Sequence, residues 1–438
     1  MTVTENSKPI VGVVGLWHLG CTISACWATL GHSVRAVDFD GQAVLALADG
    51  RPPIFEPGLE VAIRSGLAAG TLSFSASAET LRDCRFVFVA YDTPVRDDDT
   101  SDVTVIEEAI RRIGPFLARN TIVIVSAQLP VGMARHLRTR LHGFHESIEL
   151  VYSPENLRLG EALACYIHPG HIVIGADDKR AGDEVEKLFS LMEAVGLRMN
   201  LPSAEMAKHA INSFLAASIT LSNQWADLCE VVGADFHQVV EAMRQDPRIG
   251  KRAYLTPGIG FSGGTLGRDL QVLEQLNRTN TKGLSPIFGA IWRYNKSRVR
   301  VVRNRCEIVL EAVKGKTITL LGMTYKPGTS TLRRSLPLEV AEDLGAQGAL
   351  LRAFDPKANW NEVRLPAHLT VYDSPYEALA GADLAVLLTE WPDIVMLDYT
   401  RVKSQMAQPI LFDTKNMLQG RRQELEHLGF RVLTIGRA

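Results

Sequence analysis

Two glycines and an aspartate near the start of the chain have the spacing of a phosphate-binding turn. Gly15 and Gly20 follow a short apolar run at 9–14 and open a stretch of small and apolar residues typical of a helix. Backbone N–H groups at a helix start bind phosphates only where no large side chain intervenes. Asp38 ends the next apolar run, at about 20 residues from the turn, where a carboxylate accepts hydrogen bonds from a ribose 2′-OH. These residues predict a dinucleotide site that favours NAD over NADP, because a carboxylate repels a 2′-phosphate.

Trp17 departs from this pattern, since it stands at the second position, where glycine is usual. An indole there requires either that the ring points away from the phosphates or that the diphosphate lies slightly displaced. The motif by itself also fits an ordinary strand–turn–helix with an acidic residue at a turn. At the level of this motif both interpretations stay open.

Composition excludes several classes of function. The chain has 438 residues, which at about 150 residues per domain predicts two or three domains. Lys and Arg number 47 and Asp and Glu 49, a balance that argues against nucleic acid or a membrane surface as partner. There is no signal-like apolar stretch at the N-terminus, and no apolar run approaches the roughly 20 residues of a membrane span. Six scattered cysteines predict neither disulfides nor a metal site, so a cytoplasmic protein without bound metal is expected.

The first half of the chain alternates strand-like and helical stretches. Further strands are predicted at 85–90, 121–126, 148–152 and 171–175, with helical segments between several of them. This alternation indicates a mostly parallel sheet with helices on both faces.

A long helical stretch then leads to a second α/β region. Apolar residues recur every three or four positions from 203 to 232, and a glycine-rich loop is predicted at 257–267. The strand pattern restarts with a strand that ends at Gly322 and continues at 384–388 and 410–413. We therefore predict an α/β fold with two Rossmann-like, doubly wound domains joined by a central long-helix region. Because a helix this long often packs against a partner subunit, a homodimer is expected.

Several ordered segments closely resemble signature motifs of the UDP-glucose/GDP-mannose dehydrogenase family. They follow one another along nearly the whole chain: 50–59, Thr93 with Pro94, 130–132, 153–160, 204–208 with Asn212, 246–250, 257–269, and 322–327 with Arg333. The resemblance implies an N-terminal NAD-binding domain (1–200), a central helical region with dimerisation and catalytic-loop functions (201–300), and a C-terminal nucleotide-sugar domain (301–438). It also implies NAD-dependent oxidation of a sugar hydroxymethyl group to a carboxylate, for polysaccharide or glycoside biosynthesis, with a nucleotide-sugar such as a UDP-hexose or a UDP-N-acetylhexosamine as substrate.

The resemblance assigns catalytic roles to several polar residues. Lys208 and Asn212 lie four positions apart and share one helix face; they match the lysine and asparagine that stabilise the alkoxide and the tetrahedral oxyanions. Glu155 matches the glutamate that acts as a base through bound water in thioester hydrolysis. Asp269 matches an aspartate that orders water beside the catalytic loop, and its position also fits an N-cap of the next helix.

Ligand contacts are implied in the same way. The expected cofactor-binding residues are Gly15, Trp17, Gly20, Asp38, Thr93 and Arg333. The expected substrate-binding residues are Arg248, Tyr254, Gly260, Phe261, Gly263 and Lys326. Arginine suits a diphosphate because its guanidinium forms paired, charge-assisted hydrogen bonds.

The chain departs from the family pattern where the nucleophilic cysteine is expected. Thr265 occupies that position, and a threonine hydroxyl is a weak nucleophile without an activating base. Gln128 replaces a threonine that holds the catalytic water, Leu159 replaces a second glutamate of many members, and Arg268 replaces a lysine. Most of these losses concern the second oxidation, from aldehyde to acid.

Three hypotheses follow from these departures. In the first, the enzyme performs one hydride transfer and releases an aldehyde or ketone. In the second, the acid still forms, because a hydrated aldehyde donates the second hydride without a covalent intermediate. In the third, the protein binds a sugar nucleotide without catalysis, although the retained Lys208, Asn212, Asp38 and Asp269 argue against it.

Overall fold

The computed structural model describes residues 8–91, 102–155, 157–262, 264–279 and 287–437. Its contacts divide the chain into two compact units, Met1–Ala210 and Ile211–Ala438. Each unit contains one β-sheet, so the two predicted α/β regions are confirmed. The domain bounds 1–200, 201–300 and 301–438 stay a proposal.

The first unit is built on an eight-stranded sheet. Its strands are β1 Val11–Val14, β2 Val34–Val37, β3 Leu72–Ser75, β4 Phe86–Val89, β5 Ile122–Val125, β6 Glu149–Tyr152, β7 His171–Gly175 and β8 Val195–Met199. Their order across the sheet is β3-β2-β1-β4-β5-β6-β7-β8. The pairs are parallel except for β6 with β7. All four residues of β1, β4, β5 and β6 are buried, as expected for strands covered on both faces.

Helices cover this sheet. They are α1 His18–Thr29, α2 Gly41–Ala48, α3 Leu59–Ala68, α4 Thr104–Ile113, α5 Met133–His142, α6 Ala162–Ile167 and α7 Lys179–Phe189. Trp27 of α1 is fully buried, and its ring lies 5.8 Å from that of Phe88 and 5.9 Å from that of Phe189. This aromatic group holds α1, the helix that follows the glycine turn, against the sheet.

The chain order of the strands reverses between β1 and β4. In open α/β sheets ligands bind at such a switch point, beyond the carboxyl ends of the strands. Gly15 follows β1, and Asp38 follows the neighbouring β2. The fold therefore brings the predicted dinucleotide residues to the edge of the sheet where a dinucleotide binds.

The second unit is built on a six-stranded, wholly parallel sheet. Its strands are β9 Thr317–Leu321, β10 Leu350–Phe354, β11 Leu369–Val371, β12 Leu384–Leu387, β13 Ile410–Asp413 and β14 Arg431–Thr434, in the order β11-β10-β9-β12-β13-β14. Its helices are α9 Phe236–Gln245, α10 Gly264–Thr279, α11 Ile287–Ser297, α12 Val299–Leu310, α13 Leu336–Ala346, α14 Pro375–Leu379, α15 Pro392–Val395, α16 Tyr399–Gln405 and α17 Arg422–His427. This sheet has a switch point of its own, between β9 and β12.

The predicted long helix is confirmed as α8, Leu201–Val232, which begins in the first unit and ends in the second. The glycine-rich loop is shorter than predicted, because α10 begins at Gly264. Thr265 therefore lies in the first turn of a helix and not in a loop. The described helices include none that is both long and apolar enough to span a membrane.

The close packing of Gly20 against Gly15 can be tested by adding one carbon, a Cβ, to Gly20. A Cβ on Gly20 would lie 1.7 Å from the carbonyl oxygen of Gly15, so Gly20→Ala must displace the start of α1 from β1. We expect a loss of about 3 kcal/mol or more in the free energy of unfolding, measured by urea denaturation. Gly41→Ala is the control, because a Cβ there meets nothing within 4 Å. Equal stability of the two variants contradicts the packing described for α1.

Candidate active site

The glycine turn after β1 has the shape that a dinucleotide requires. Gly15 has φ +91°, a left-handed conformation that favours glycine. The Asp38 carboxylate accepts hydrogen bonds from the N–H of Leu16 (2.6 Å) and of Asp40 (2.9 Å). A carboxylate offers about four acceptor positions, so two sites remain for ribose hydroxyls. Gly20 lies so close to Gly15 that a Cβ there would be 1.7 Å from the Gly15 carbonyl oxygen, and this tight glycine turn at the start of α1 fits the diphosphate of NAD.

Two aromatic residues flank the turn. Trp17 is the half-buried N-cap of α1, and its carbonyl accepts the Cys21 N–H. The Tyr91 ring covers Gly15 so closely that a Cβ there would lie 2.9 Å from its carbons. Burial raises the pKa of Tyr91, so its hydroxyl stays protonated. Thr93 lies outside the described residues.

Lys208 is buried in the first unit, with only 5% of its surface exposed. Its ammonium donates a hydrogen bond to the backbone carbonyl of Glu155 at 2.5 Å. The Glu155 carboxylate in turn accepts the N–H of Leu157. The structure thus brings two residues predicted from distant motifs, Lys208 and Glu155, into direct contact.

Two neighbours of Lys208 on α8 hold the start of α5 and the segment before it. The fully buried Glu205 carboxylate accepts the N–H groups of Gly132 and Ala134, both at 2.6 Å. Burial raises the pKa of Glu205, although these two N–H groups oppose the shift. The imidazole of His209 lies 3.0 Å from the carbonyl of Leu129. Neither residue was predicted. The available signal was an acidic residue between Ala204 and Met206 in the matched segment 204–208.

Asn212 lies one helical turn beyond Lys208, so both side chains leave α8 on the same face. Its amide donates a hydrogen bond to Asp269 of α10. Asn212 is 5% exposed and Asp269 is fully buried. The alternative prediction that Asp269 is an N-cap is wrong, because α10 begins at Gly264 and Asp269 is its sixth residue. Its carboxylate orients the asparagine amide instead.

The backbone of the glycine-rich loop is held by buried side chains that sequence reasoning missed. Asn223 accepts the Gly258 N–H at 2.7 Å, and Arg298 donates to the Gly258 carbonyl at 2.8 Å. Asn295 accepts the N–H of Phe261 and donates to its carbonyl, at 2.9 and 3.1 Å. The signal was the presence of polar residues at buried helix positions.

Gly260 and Phe261 shape this loop in different ways. Gly260 has φ +108°, and a Cβ there would lie 2.4 Å from Asn295 Oδ1. The Phe261 side chain is buried beside Trp292, with the ring centres 6.3 Å apart. Phe261 therefore anchors the loop through its core packing. Gly263 lies outside the described residues.

Thr265 is exposed in the first turn of α10, and this helix contains no cysteine. Burial raises the pKa of Cys26, Cys84 and Cys306 to about 12, so these thiols stay protonated at neutral pH. No thiol on α10 could therefore act as a nucleophile in place of the Thr265 hydroxyl.

The remaining predicted ligand residues lie in the second unit. Arg248 is exposed and pairs with Asp246, and Tyr254 is 54% exposed. Lys326 is half-buried, and the exposed Arg333 pairs with Glu362 at 3.0 Å. The accessible surface of all four leaves them able to meet a ligand.

A cavity of about 400 Å³ opens beside Glu155 in the first unit. Its lining includes Ser153, Leu157, Tyr166 and His171. The segment that follows the carboxyl end of β6 therefore lines this cavity, as a segment that contacts a ligand must. The described residues contain no cluster of side chains suited to a metal ion.

Two donors on α8 are thus held by side-chain or backbone partners: the Lys208 ammonium by the half-buried Glu155 in the first unit, and the Asn212 carboxamide by the buried Asp269 in the second. Such donors stabilise negative charge on oxygen without having to reorganise. Hydroxyl oxidation with hydride loss creates that charge, and the glycine turn fits the dinucleotide that accepts hydride.

Comparison with known proteins agrees with this geometry. Three family models match, described as the NAD binding domain, the central domain and the UDP binding domain of the UDP-glucose/GDP-mannose dehydrogenase family, over residues 10–193, 202–297 and 319–420. The first range contains Gly15, Gly20 and Asp38, and NAD is therefore the cofactor.

Individual relatives match over almost their whole length. A UDP-glucose 6-dehydrogenase of Pseudomonas aeruginosa is 33% identical over 97% of both chains, and UDP-glucose 6-dehydrogenase YwqF of Bacillus subtilis is 32% identical over 93% of both. A solved UDP-glucose dehydrogenase of Pyrobaculum islandicum shares 30% identity with a TM-score of 0.86, covering 96% of this chain and 98% of that one.

Proposed function

The chain belongs to the UDP-glucose/GDP-mannose dehydrogenase family and is an NAD-dependent nucleotide-sugar dehydrogenase, and we propose that it oxidises C6 of a UDP-hexose, with UDP-glucose as the first candidate. The observation that carries the proposal is the buried Lys208 ammonium held against the Glu155 carbonyl. The three relatives described above are each at least 30% identical and bear the name UDP-glucose dehydrogenase or UDP-glucose 6-dehydrogenase, which supports glucose as the sugar. The product would serve polysaccharide or glycoside biosynthesis.

NAD binding is assigned to the turn after β1. Gly15 and Gly20 would admit the diphosphate to the start of α1, and Asp38 would accept the ribose hydroxyls. Trp17, Thr93 and Arg333 are proposed as further contacts. When bound, NAD supplies the acceptor for the hydride that leaves C6.

In the proposed first oxidation, the sugar hydroxyl gives its proton to a water molecule as hydride leaves the same carbon for NAD. The alkoxide that develops would face the Lys208 ammonium and the Asn212 amide. An amide nitrogen has two N–H donors, so the bond of Asn212 to Asp269 leaves one for the substrate. Burial of both side chains strengthens their interaction with that charge, since the local dielectric is low.

We propose that the reaction stops after this single hydride transfer and releases the aldehyde. Thr265 is exposed and would form a covalent adduct far less readily than a thiolate. Gln128 and Leu159 also differ from the family pattern at positions linked to the second oxidation, so Glu155 would lack its usual partners as a base. The competing proposal is a second hydride transfer from the hydrated aldehyde.

Recognition of the sugar nucleotide is assigned mainly to the second unit. The proposed contacts are Arg248, Tyr254, Gly260, Phe261, Gly263 and Lys326. The hydrogen bonds from Asn295 to Phe261 support a rigid loop backbone that would present its glycines to sugar or phosphate.

A homodimer formed through α8 is also proposed. Phe214, Leu221 and Leu228 follow one another at intervals of seven residues and are 73%, 49% and 53% exposed. An exposed apolar stripe of this regularity is suited to packing against a second copy of the same helix. A cytoplasmic location is proposed as well.

The role of Lys208 is tested by Lys208→Ala. Removing the ammonium takes away the positive charge that faces the alkoxide, and we expect kcat to fall by about 10²–10³-fold while NAD affinity is retained. NADH absorbance at saturating UDP-glucose and NAD measures the rate. The control is Lys314→Ala, since Lys314 is exposed. A Lys208→Ala rate within threefold of the wild-type rate contradicts the assignment.

The number of oxidation steps is tested by counting NADH per sugar consumed and identifying the product by mass. We expect one NADH and an aldehyde from the wild type, and a ratio closer to two for Thr265→Cys, because a thiol restores a covalent route. Two NADH with the wild type support the hydrated-aldehyde proposal. Unchanged product and stoichiometry in Thr265→Cys refute the role given to Thr265. UDP-glucose binding without any NADH formation points to a binding protein.

The dimer is tested by Phe214→Glu. A charge in the apolar stripe would be buried on association, so we expect sedimentation to change from the mass of a dimer to that of a monomer at micromolar concentration. Met396→Glu is the control, because Met396 is equally apolar and 77% exposed but lies outside α8. A dimer that survives Phe214→Glu excludes this face as the interface.

A further inference from the structure

Glu56 is a buried carboxylate that the proposed reaction does not use. It lies between α2 and α3 within the matched segment 50–59, and its side chain is wholly inaccessible to solvent. Burying an ionised carboxylate costs several kcal/mol unless it is paired and hydrogen-bonded. Its partners therefore indicate what the position does.

Those partners come from two other parts of the first unit. Glu56 Oε2 lies 2.8 Å from His18 Nε2 and accepts the N–H of Gly160 at 2.9 Å, while Oε1 accepts the N–H of Ala162 at 2.9 Å. Burial raises the pKa of Glu56, but these hydrogen bonds outweigh it and the pKa lies below its ordinary value. The carboxylate is therefore ionised at neutral pH and holds three partners.

Under the proposed function, the two segments joined by Glu56 would meet different ligands. His18 is the first residue of α1, directly after the turn assigned to the NAD diphosphate. Gly160 and Ala162 lead into α6, immediately after the segment in which Glu155 and Leu157 line the cavity. Gly160 has φ +85°, a left-handed conformation that favours glycine, so the backbone bend at this junction depends on a glycine.

We propose that Glu56 is a positioning residue that couples the NAD site to the segment that contains Glu155 and Leu157, called here the Glu155 segment. The coupling runs through His18 on one side and the Gly160 and Ala162 amides on the other. NAD bound at the start of α1 restrains His18, and His18 restrains the carboxylate that fixes the end of the Glu155 segment. Coupling between two ligands is reciprocal. The sugar nucleotide, once it orders the Glu155 segment, therefore tightens binding of the dinucleotide. The inference rests on the proposed function, in which the sugar hydroxyl faces Lys208, the residue bonded to the Glu155 carbonyl.

The test measures binding without turnover. NADH cannot accept a hydride, so its dissociation constant is measured by fluorescence with and without saturating UDP-glucose. In the wild type we expect UDP-glucose to tighten NADH binding by about fivefold or more, the usual lower range of coupling between two sites. His18→Leu removes the link to α1 but leaves both backbone bonds of Glu56, and the tightening should fall below twofold.

Further variants separate coupling from a structural role. His18→Gln retains a donor for Glu56 and should restore the tightening. Glu60→Gln is the control, because Glu60 is exposed and pairs with Arg64 on the surface of α3. Amide hydrogen exchange at 160–162 should slow on NADH binding in the wild type and in His18→Gln, and stay unchanged in His18→Leu.

Each outcome decides the inference. Full tightening in His18→Leu, or none in the wild type, overturns it. The inference is supported if the tightening of NADH binding is lost in His18→Leu and recovered in His18→Gln. Failure of the proposed function is seen separately, as the absence of NADH formation from NAD and UDP-glucose by the wild type.

Discussion

The hydrogen bond from the Lys208 ammonium to the Glu155 carbonyl is the interaction on which the site depends. A buried ammonium needs an acceptor, because an unpaired charge in the interior is very costly. A carbonyl carries no net charge, so this hydrogen bond holds the ammonium in place without itself neutralising it. Glu205 and His209 flank Lys208 on α8 and bind the start of α5 and the segment before it. The helix is thereby fixed against its own unit on both sides of the lysine.

Both units use an aspartate to hold the turn after their first strand, but with different numbers of partners. Asp38 accepts the N–H of Leu16 and one further N–H. In the second unit Asp355 accepts the N–H groups of Met323 and Thr324, a hydroxyl and the Trp391 indole, and its other oxygen binds two more N–H groups. Asp355 is saturated by its own unit, whereas Asp38 keeps acceptor capacity. This difference favours the first turn, rather than the second, as the one that would bind a ribose.

Local patterns in the sequence predicted the parts of the molecule that local rules determine. The apolar runs predicted the central strands of both sheets but not the edge strands β3, β8, β11 and β14. Helical periodicity predicted α8, and the spacing of Gly15, Gly20 and Asp38 predicted the turn. The bond of Asn212 to Asp269 and the contacts of Asn295 with Phe261 join positions 57 and 34 residues apart. Such pairings depend on tertiary packing, which periodicity does not reveal. The start of α10 was missed for a related reason, since glycines in the predicted loop outweighed the helical pattern that follows.

The account's central claim is that the buried charge of Lys208 acts on the hydride-transfer step itself. The most direct test is a single-turnover measurement of NADH formation from UDP-glucose carrying deuterium at C6, in the wild type and in Lys208→Met. The account predicts a much slower variant with a primary isotope effect at least as large as that of the wild type, because breaking the C–H bond then limits the rate. A slow variant without an isotope effect would contradict it, since the loss would then lie in binding or in a conformational step.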